Sequence, residues 1–267
     1  MLHRRLALAA VIVAAPLWLV ACGNRAPDGD AGQTASRAAE LAKAIEGKPL
    51  RYLIGTDDPG EGEDDAVTEV SYAVNAKPRR GIAIKYGNLF DEKNAGTYGP
   101  YLHSSDTAAQ YNEGQIDPCC DGWRRNIADQ IARAKASGFE LIEWDNPDAY
   151  SVRDVIGAVD EAEKSGLGVV AKNPLLIEDD ALPYVAHRNV VAVIVEKGAG
   201  SPQKMDALRK RAGRPSLQIW FVFFGQNGLR SAREASAQIT ANDYRNMGVT
   251  HSTAGEYGNA VDVLRPR

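Results

Sequence analysis

Four short apolar runs in this chain end in side chains capable of acid–base chemistry. Phe139–Trp144 (FELIEW) stops at Asp145-Asn146-Pro147-Asp148, LGVVA at 167–171 stops at Lys172-Asn173, VVAVIV at 190–195 stops at Glu196-Lys197, and Gly81–Tyr86 (GIAIKY) leaves Tyr86 and Asn88 near its exit. Two carboxyl groups delivered by different strands are what glycoside hydrolysis uses, one protonated to help the leaving oxygen depart and one ionised as base or nucleophile. A lysine beside one carboxylate favours its charged form, whereas an apolar wall such as Trp144 or Trp220 favours the neutral form of the other. A plainer reading stands beside this one. Asp145 and Asp148 could form an Asx turn capping the helix from Ser151, Lys172 could serve only as a salt-bridge partner, and Asn173 only as a turn residue.

The elements that would position these groups follow from the runs. Apolar stretches bounded by Gly, Pro, Asn and Asp read as buried strands. Between the first two of them, Ser151–Ser165 carries Val152, Val155, Ile156, Val159 and Ala162 at helical spacing and is closed by Gly166, giving a β-α-β unit. In parallel sheets the strand exits are where sites are built. Further strands are expected at Leu50–Gly55, Leu217–Phe224, Met247–Ser252 and Ala260–Leu264, and helices at Ala35–Glu46, Asp64–Asn75, Trp123–Ser137, Ser201–Arg211 and Ser231–Asn246. Eight strands alternating with helices predict an α/β fold, a (β/α)8 TIM barrel spanning 35–267 with room for irregularity in its N-terminal third. A doubly wound open sheet is the alternative, although no GxGxxG or P-loop follows any strand. The helix at Ala35–Glu46 is expected to cap the barrel bottom.

The 267 residues are 44% hydrophobic and 25% charged, enough for a substantial core. A net charge of −4 argues against nucleic acid as a partner. The acidic stretch TDDPGEGEDD at 56–65 reads either as a solvated loop or as a lure for a cationic substrate at the strand exits. The long segment 87–122, rich in Gly, Tyr, Asn and Ser and holding Tyr98, Tyr101, His103 and Tyr111, reads as a binding loop.

His3-Arg4-Arg5 followed by the apolar run Leu6–Ala21 has the layout of a secretory signal, and Leu19-Val20-Ala21-Cys22 looks like a bacterial lipobox. The expectation is a signal peptide at 1–21, lipidation of Cys22, a flexible tether at 22–34 and a protein anchored in the cell envelope on the periplasmic or outer-membrane side. Cys119 and Cys120 are adjacent, and an exported protein could join them in a strained vicinal disulfide. With four histidines and no Cys/His ligand spacing, neither a metal nor a cofactor is expected.

The segment from Gly138 to Glu196 resembles the core of glycoside hydrolase family 114, the endo-α-1,4-polygalactosaminidase-type TIM barrels. The pieces that carry the resemblance are Asp145-Asn146-Pro147-Asp148-Ala149-Tyr150, then Gly166-Leu167-Gly168-Val169-Val170-Ala171-Lys172-Asn173, then Glu196. The resemblance implies Asp145 and Glu196 as catalytic carboxylates, with Asn146, Asp148, Tyr150, Lys172 and Asn173 shaping the sugar site. Tyr86 and Trp220 are expected to line it too. It also implies a polysaccharide substrate, a partly deacetylated and therefore cationic galactosaminoglycan. LRYLIG and GIAIKYGN do not reproduce the family's first two strands. A barrel that binds glycan without cleaving it is therefore the competing reading.

Overall fold

A computed structural model describes residues 29–56, 58–91, 96–102, 113–177, 181–196, 198–253 and 262–264. The signal segment, Cys22 and the tether as far as residue 28 lie outside the described residues, as do His103, Tyr111 and Lys197. Among the described residues no helix is long and apolar enough to cross a membrane.

Eight parallel strands run in sequence order around a barrel: β1 (Leu50–Leu53), β2 (Val67–Val70), β3 (Ile82–Asn88), β4 (Leu141–Asp145), β5 (Gly168–Lys172), β6 (Val190–Glu196), β7 (Gln218–Phe224) and β8 (Met247–Ser252). A two-residue strand β9 (Asp262–Val263) adds antiparallel to β8. The barrel comes round where the Thr250 hydroxyl donates to the Leu50 carbonyl at 2.9 Å. Helices α2 (Asp121–Ala136), α3 (Val152–Lys164), α4 (Leu182–Ala186), α5 (Pro202–Arg211) and α6 (Gly225–Ala241) follow β3 through β7. No helix stands between β1 and β2 or between β2 and β3 among the described residues, so the irregularity does fall in the N-terminal third.

Three expectations are corrected by the structure. The span 64–75, expected as a helix, contains β2. Val67, Thr68, Glu69 and Val70 are all buried, so this strand shows no polar face and its spacing mimics a helix. Its place in the count of eight had been given to Ala260–Leu264, of which only the short β9 forms, outside the parallel set. The helix at the N-terminus, α1 (Gly29–Ile45), also starts six residues before the expected Ala35, within the stretch read as tether.

The apolar side chains separate into two layers. Ala38, Leu41 and Ile45 of α1 plug the lower barrel against Leu50, Val67, Leu141, Val191 and Ala192. Full burial of Leu41 and Ile45 stabilises this closure by roughly 1.5–3 kcal/mol each. The outer layer lies between strands and helices and includes Trp123, Ile127, Trp144, Val155, Val159, Tyr184 and Phe221. Gly87 makes room for Trp144 there, because a Cβ on that residue would stand 2.9 Å from the indole and 2.7 Å from the Glu143 carbonyl. Alternation then turns Leu141, Glu143 and Asp145 inward along β4.

Candidate active site

At the C-terminal mouth of the barrel, the ends of β4, β5 and β6 bring Asp145, Lys172 and Glu196 together. The Lys172 ammonium lies 3.3 Å from Asp145 Oδ2 and 3.2 Å from Glu196 Oε2, and 3.3 Å from Glu143 Oε1 below them. Lys172 is only 3% exposed, while the Asp145 side chain keeps 20% of its surface open. The buried ammonium is nevertheless held well above its usual pKa. Burial opposes the charge, but Asp145, Glu143 and Glu196 together outweigh it.

Each carboxylate is oriented by more than the lysine. Tyr86 donates its hydroxyl to Asp145 Oδ2, and the Asn146 backbone N–H donates to Asp145 Oδ1 at 2.8 Å. Tyr52, from β1, donates to Glu196 Oε1 at 2.5 Å and itself receives Lys172 Nζ at 3.3 Å. Burial first, then the charge of Glu196, raises the Tyr52 phenol well above its usual value, so it stays a donor. The Lys172 nitrogen also sits 5.0 Å from the Tyr86 ring centre.

Two asparagines in the left-handed region shape the strand exits. Asn173 (φ 41°) accepts the Glu196 backbone N–H on its side-chain oxygen at 2.7 Å, tying the end of β6 to the end of β5. Asn146 (φ 59°) donates from its amide to Asn88 Oδ1 at 2.8 Å and to Glu113 Oε2 at 3.4 Å. Asparagine tolerates this backbone region better than most residues, and here its side chain is used as well. Asn88 is in turn fixed by Gln130 of α2, whose Oε1 receives the Asn88 backbone N–H at 2.8 Å.

Sequence reasoning missed four members of this site. Tyr52, Glu69 and Glu143 point into the barrel from β1, β2 and β4, and each is fully buried. A glutamate inside the apolar run FELIEW, two residues before Asp145, was the readable signal for Glu143. Glu113 comes from the long β3–α2 connection and accepts from Asn88 Nδ2 at 3.0 Å. Burial and the neighbouring Asp145 push its carboxyl up to about 7.

Several expected members are elsewhere. Trp220 is fully buried, donating its indole N–H to the Lys48 carbonyl at 2.8 Å beneath β1, so it lies at the foot of the barrel and cannot touch a sugar at the mouth. Trp144 faces the outer layer, not the carboxylates. Tyr150 packs on Trp123 with ring centres 4.5 Å apart and donates to the Leu89 carbonyl at 3.2 Å, so it props the mouth from outside. Asp148 does stand at the mouth, exposed beside the exit of β4, but the helix cap expected of it belongs to Ser151, which accepts the Asp154 N–H at 3.3 Å. Cys119 and Cys120 are free thiols, so the vicinal disulfide is not formed.

The second half of the acidic stretch does not ring the mouth. Glu63 pairs with Arg51 at 3.4 Å, Glu61 with Arg79 at 3.0 Å and Asp64 with Arg80 at 3.6 Å. The Asp64 carbonyl accepts from Lys48 just before β1, which places this half of the loop at the barrel foot.

No family profile matches the chain, and no curated protein matches it in sequence. Among solved structures it is similar to Aspergillus fumigatus Ega3 in complex with galactosamine, with a TM-score of 0.55 and 13% identity over 80% of this chain and 96% of that one. The two share a barrel fold. The glycoside hydrolase domain of Pseudomonas aeruginosa PelA is a further neighbour, with a TM-score of 0.49 and 15% identity over 77% of this chain and 94% of that one.

One group outside the mouth has metal-ligand types. Asp160, Glu163 and His187 present ligand atoms within 4.8 Å of one another on the outer face. His187 Nδ1 already accepts the Asn189 N–H at 3.2 Å, which leaves Nε2 to face Asp160, and Arg188 holds Glu163 at 2.6 Å. A hydrogen bond from His187 to Asp160 and an ion pair between Arg188 and Glu163 account for the cluster.

Proposed function

We propose that this chain is a glycoside hydrolase that cleaves an amino-sugar polymer, with Asp145 and Glu196 as the reacting carboxyls. The carrying observation is the single ammonium of Lys172 lying between those two side chains at the barrel mouth. One nitrogen within 3.3 Å of both holds the two carboxyls near enough to flank a single glycosidic bond, and their separation decides between retention, at about 5–5.5 Å, and inversion, at roughly 6.5–9.5 Å. Asp145 suits the nucleophile. One of its oxygens faces a backbone N–H, a group that can only donate, and donors fix and stabilise an anion. Glu196 suits the acid and base. Its Tyr52 partner is a hydroxyl able to donate or accept, so either protonation state keeps a hydrogen bond.

A cationic substrate is supported by the charge at the mouth. Asp145, Glu196, Glu113 and the exposed Asp148 gather there, and the Lys172 ammonium is already shared among three carboxylates. The Ega3 relative was solved with galactosamine, in keeping with this reading. The N-terminal sequence, with its lipobox ending at Cys22, supports an envelope protein tethered by lipid.

The test is release of new reducing ends from deacetylated galactosaminoglycan, with binding measured in parallel and the fully acetylated polymer as control. Cleavage of the deacetylated polymer alone is expected. Tight binding without new ends would replace the hydrolase with a glycan-binding protein.

A further inference from the structure

Below the reacting pair, the barrel interior holds two more carboxyls that the proposed chemistry does not use. Glu69 of β2 and Glu143 of β4 are both 0% exposed. None of their four oxygens has a hydrogen-bond donor from the protein, although Lys172 Nζ approaches Glu143 Oε1 at 3.3 Å as an ion pair. β2 and β4 flank β3, and alternation along each turns these two side chains into the same barrel interior. Two ionised carboxylates can only accept, so they cannot bond to one another; a proton on one supplies the missing donor. A single ammonium, already facing Asp145 and Glu196, cannot balance two further buried anions.

We propose that Glu69 and Glu143 share one proton inside the barrel, and that this pair anchors the Lys172 ammonium from below so that it holds Asp145 and Glu196 in place. Glu69 and Glu143 are positioning residues, acting through Lys172. The second half of the proposal rests on the hydrolase reading; the first does not. The charged and titratable groups in the same interior are Tyr52 from β1, Asp145 from β4, Lys172 from β5 and Glu196 from β6. Burial, then the charge of Glu143, raises Glu69 well above the usual carboxyl value, so it is the natural holder of the proton. Burial pushes Glu143 up to about 7 even though Lys172 pulls the other way, and Asp145 and Glu196 add to the rise.

A carboxyl raised in the folded state stabilises the fold below its ordinary pKa and loses that contribution as pH rises through the folded value. Glu69→Gln keeps a donor toward Glu143 and removes this pH-dependent loss. Its melting temperature should match the wild type within about 2 °C at about pH 5 and exceed it by about 4 °C at about pH 8. Glu69→Leu, which supplies no donor, should melt below Glu69→Gln at both. A gap between Glu69→Gln and wild type that does not change with pH, or equal damage from Gln and Leu, would overturn the shared proton. For the anchoring half, the Lys172 Cε resonance should titrate at lower pH in Glu143→Gln than in the wild type, and kcat should fall about tenfold with KM within about twofold. An unmoved Cε titration would overturn the anchoring. Absence of hydrolysis by the wild type would count against the hydrolase reading alone, since melting and resonance data need no substrate.

Discussion

The two ends of this barrel treat acidic side chains in opposite ways. At the foot, Glu61, Glu63 and Asp64 each meet an arginine, and the Arg79–Glu61 pair remains 80% and 66% exposed. At the mouth and just below it, Glu143, Asp145 and Glu196 surround one buried lysine, and Glu69 is buried in the same interior. Exposed pairs are screened and contribute little, whereas buried carboxyls outnumbering their cation must bind protons or wait for a positive ligand. Density of acids along the chain therefore marks solvated surface, and isolated acids inside apolar strands mark buried charge.

Substitutions at the two ends should separate accordingly. Asp145→Asn and Glu196→Gln should each lower hydrolysis by at least about 100-fold while circular dichroism stays native. A smaller loss in either would take that carboxyl out of the reaction. Lys172→Met leaves buried carboxylates without their cation and should cost about 3–5 kcal/mol in denaturant unfolding. Tyr52→Phe strips one donor from Glu196 and should cost about 1.5–3 kcal/mol of transition-state stabilisation, read as a drop in kcat/KM. At the foot, Arg79→Ala should change stability by no more than about 1 kcal/mol and leave turnover untouched. A large loss there would erase the contrast between the ends.

The same contrast predicts a pH dependence. Glu113 and Glu143 have carboxyls raised to about 7, so their contribution to stability is complete below the ordinary glutamate range and is lost as pH climbs through about 7. The unfolding free energy should therefore decline between about pH 5 and about pH 8 in wild type, and decline less steeply in Glu113→Gln.

The barrel and the meeting of Asp145, Lys172 and Glu196 at its mouth were legible because each closes an apolar run at a turn, a pattern that survives without knowledge of the other strands. Glu69 was illegible because β2 is four residues long and buried on both faces, so neither length nor alternation distinguishes VTEV from a helical turn. Trp220 was assigned to the sugar by residue type and Tyr150 by the family resemblance. Depth decides such cases, and depth depends on the stagger of strands around a barrel, which spacing along one strand does not encode. Glu113 arrives from a loop whose path is set by contacts to Asn88 and Asn146, both distant in sequence.

The most direct measurement is titration calorimetry of Glu196→Gln with deacetylated galactosaminoglycan oligomers, run beside a reducing-end assay on the same sample and on the wild type. The account predicts that the variant binds within about threefold of the wild type yet forms no new ends, while the wild type cleaves. Cleavage by the variant at the wild-type rate, or failure of the wild type to cleave or bind, would contradict it.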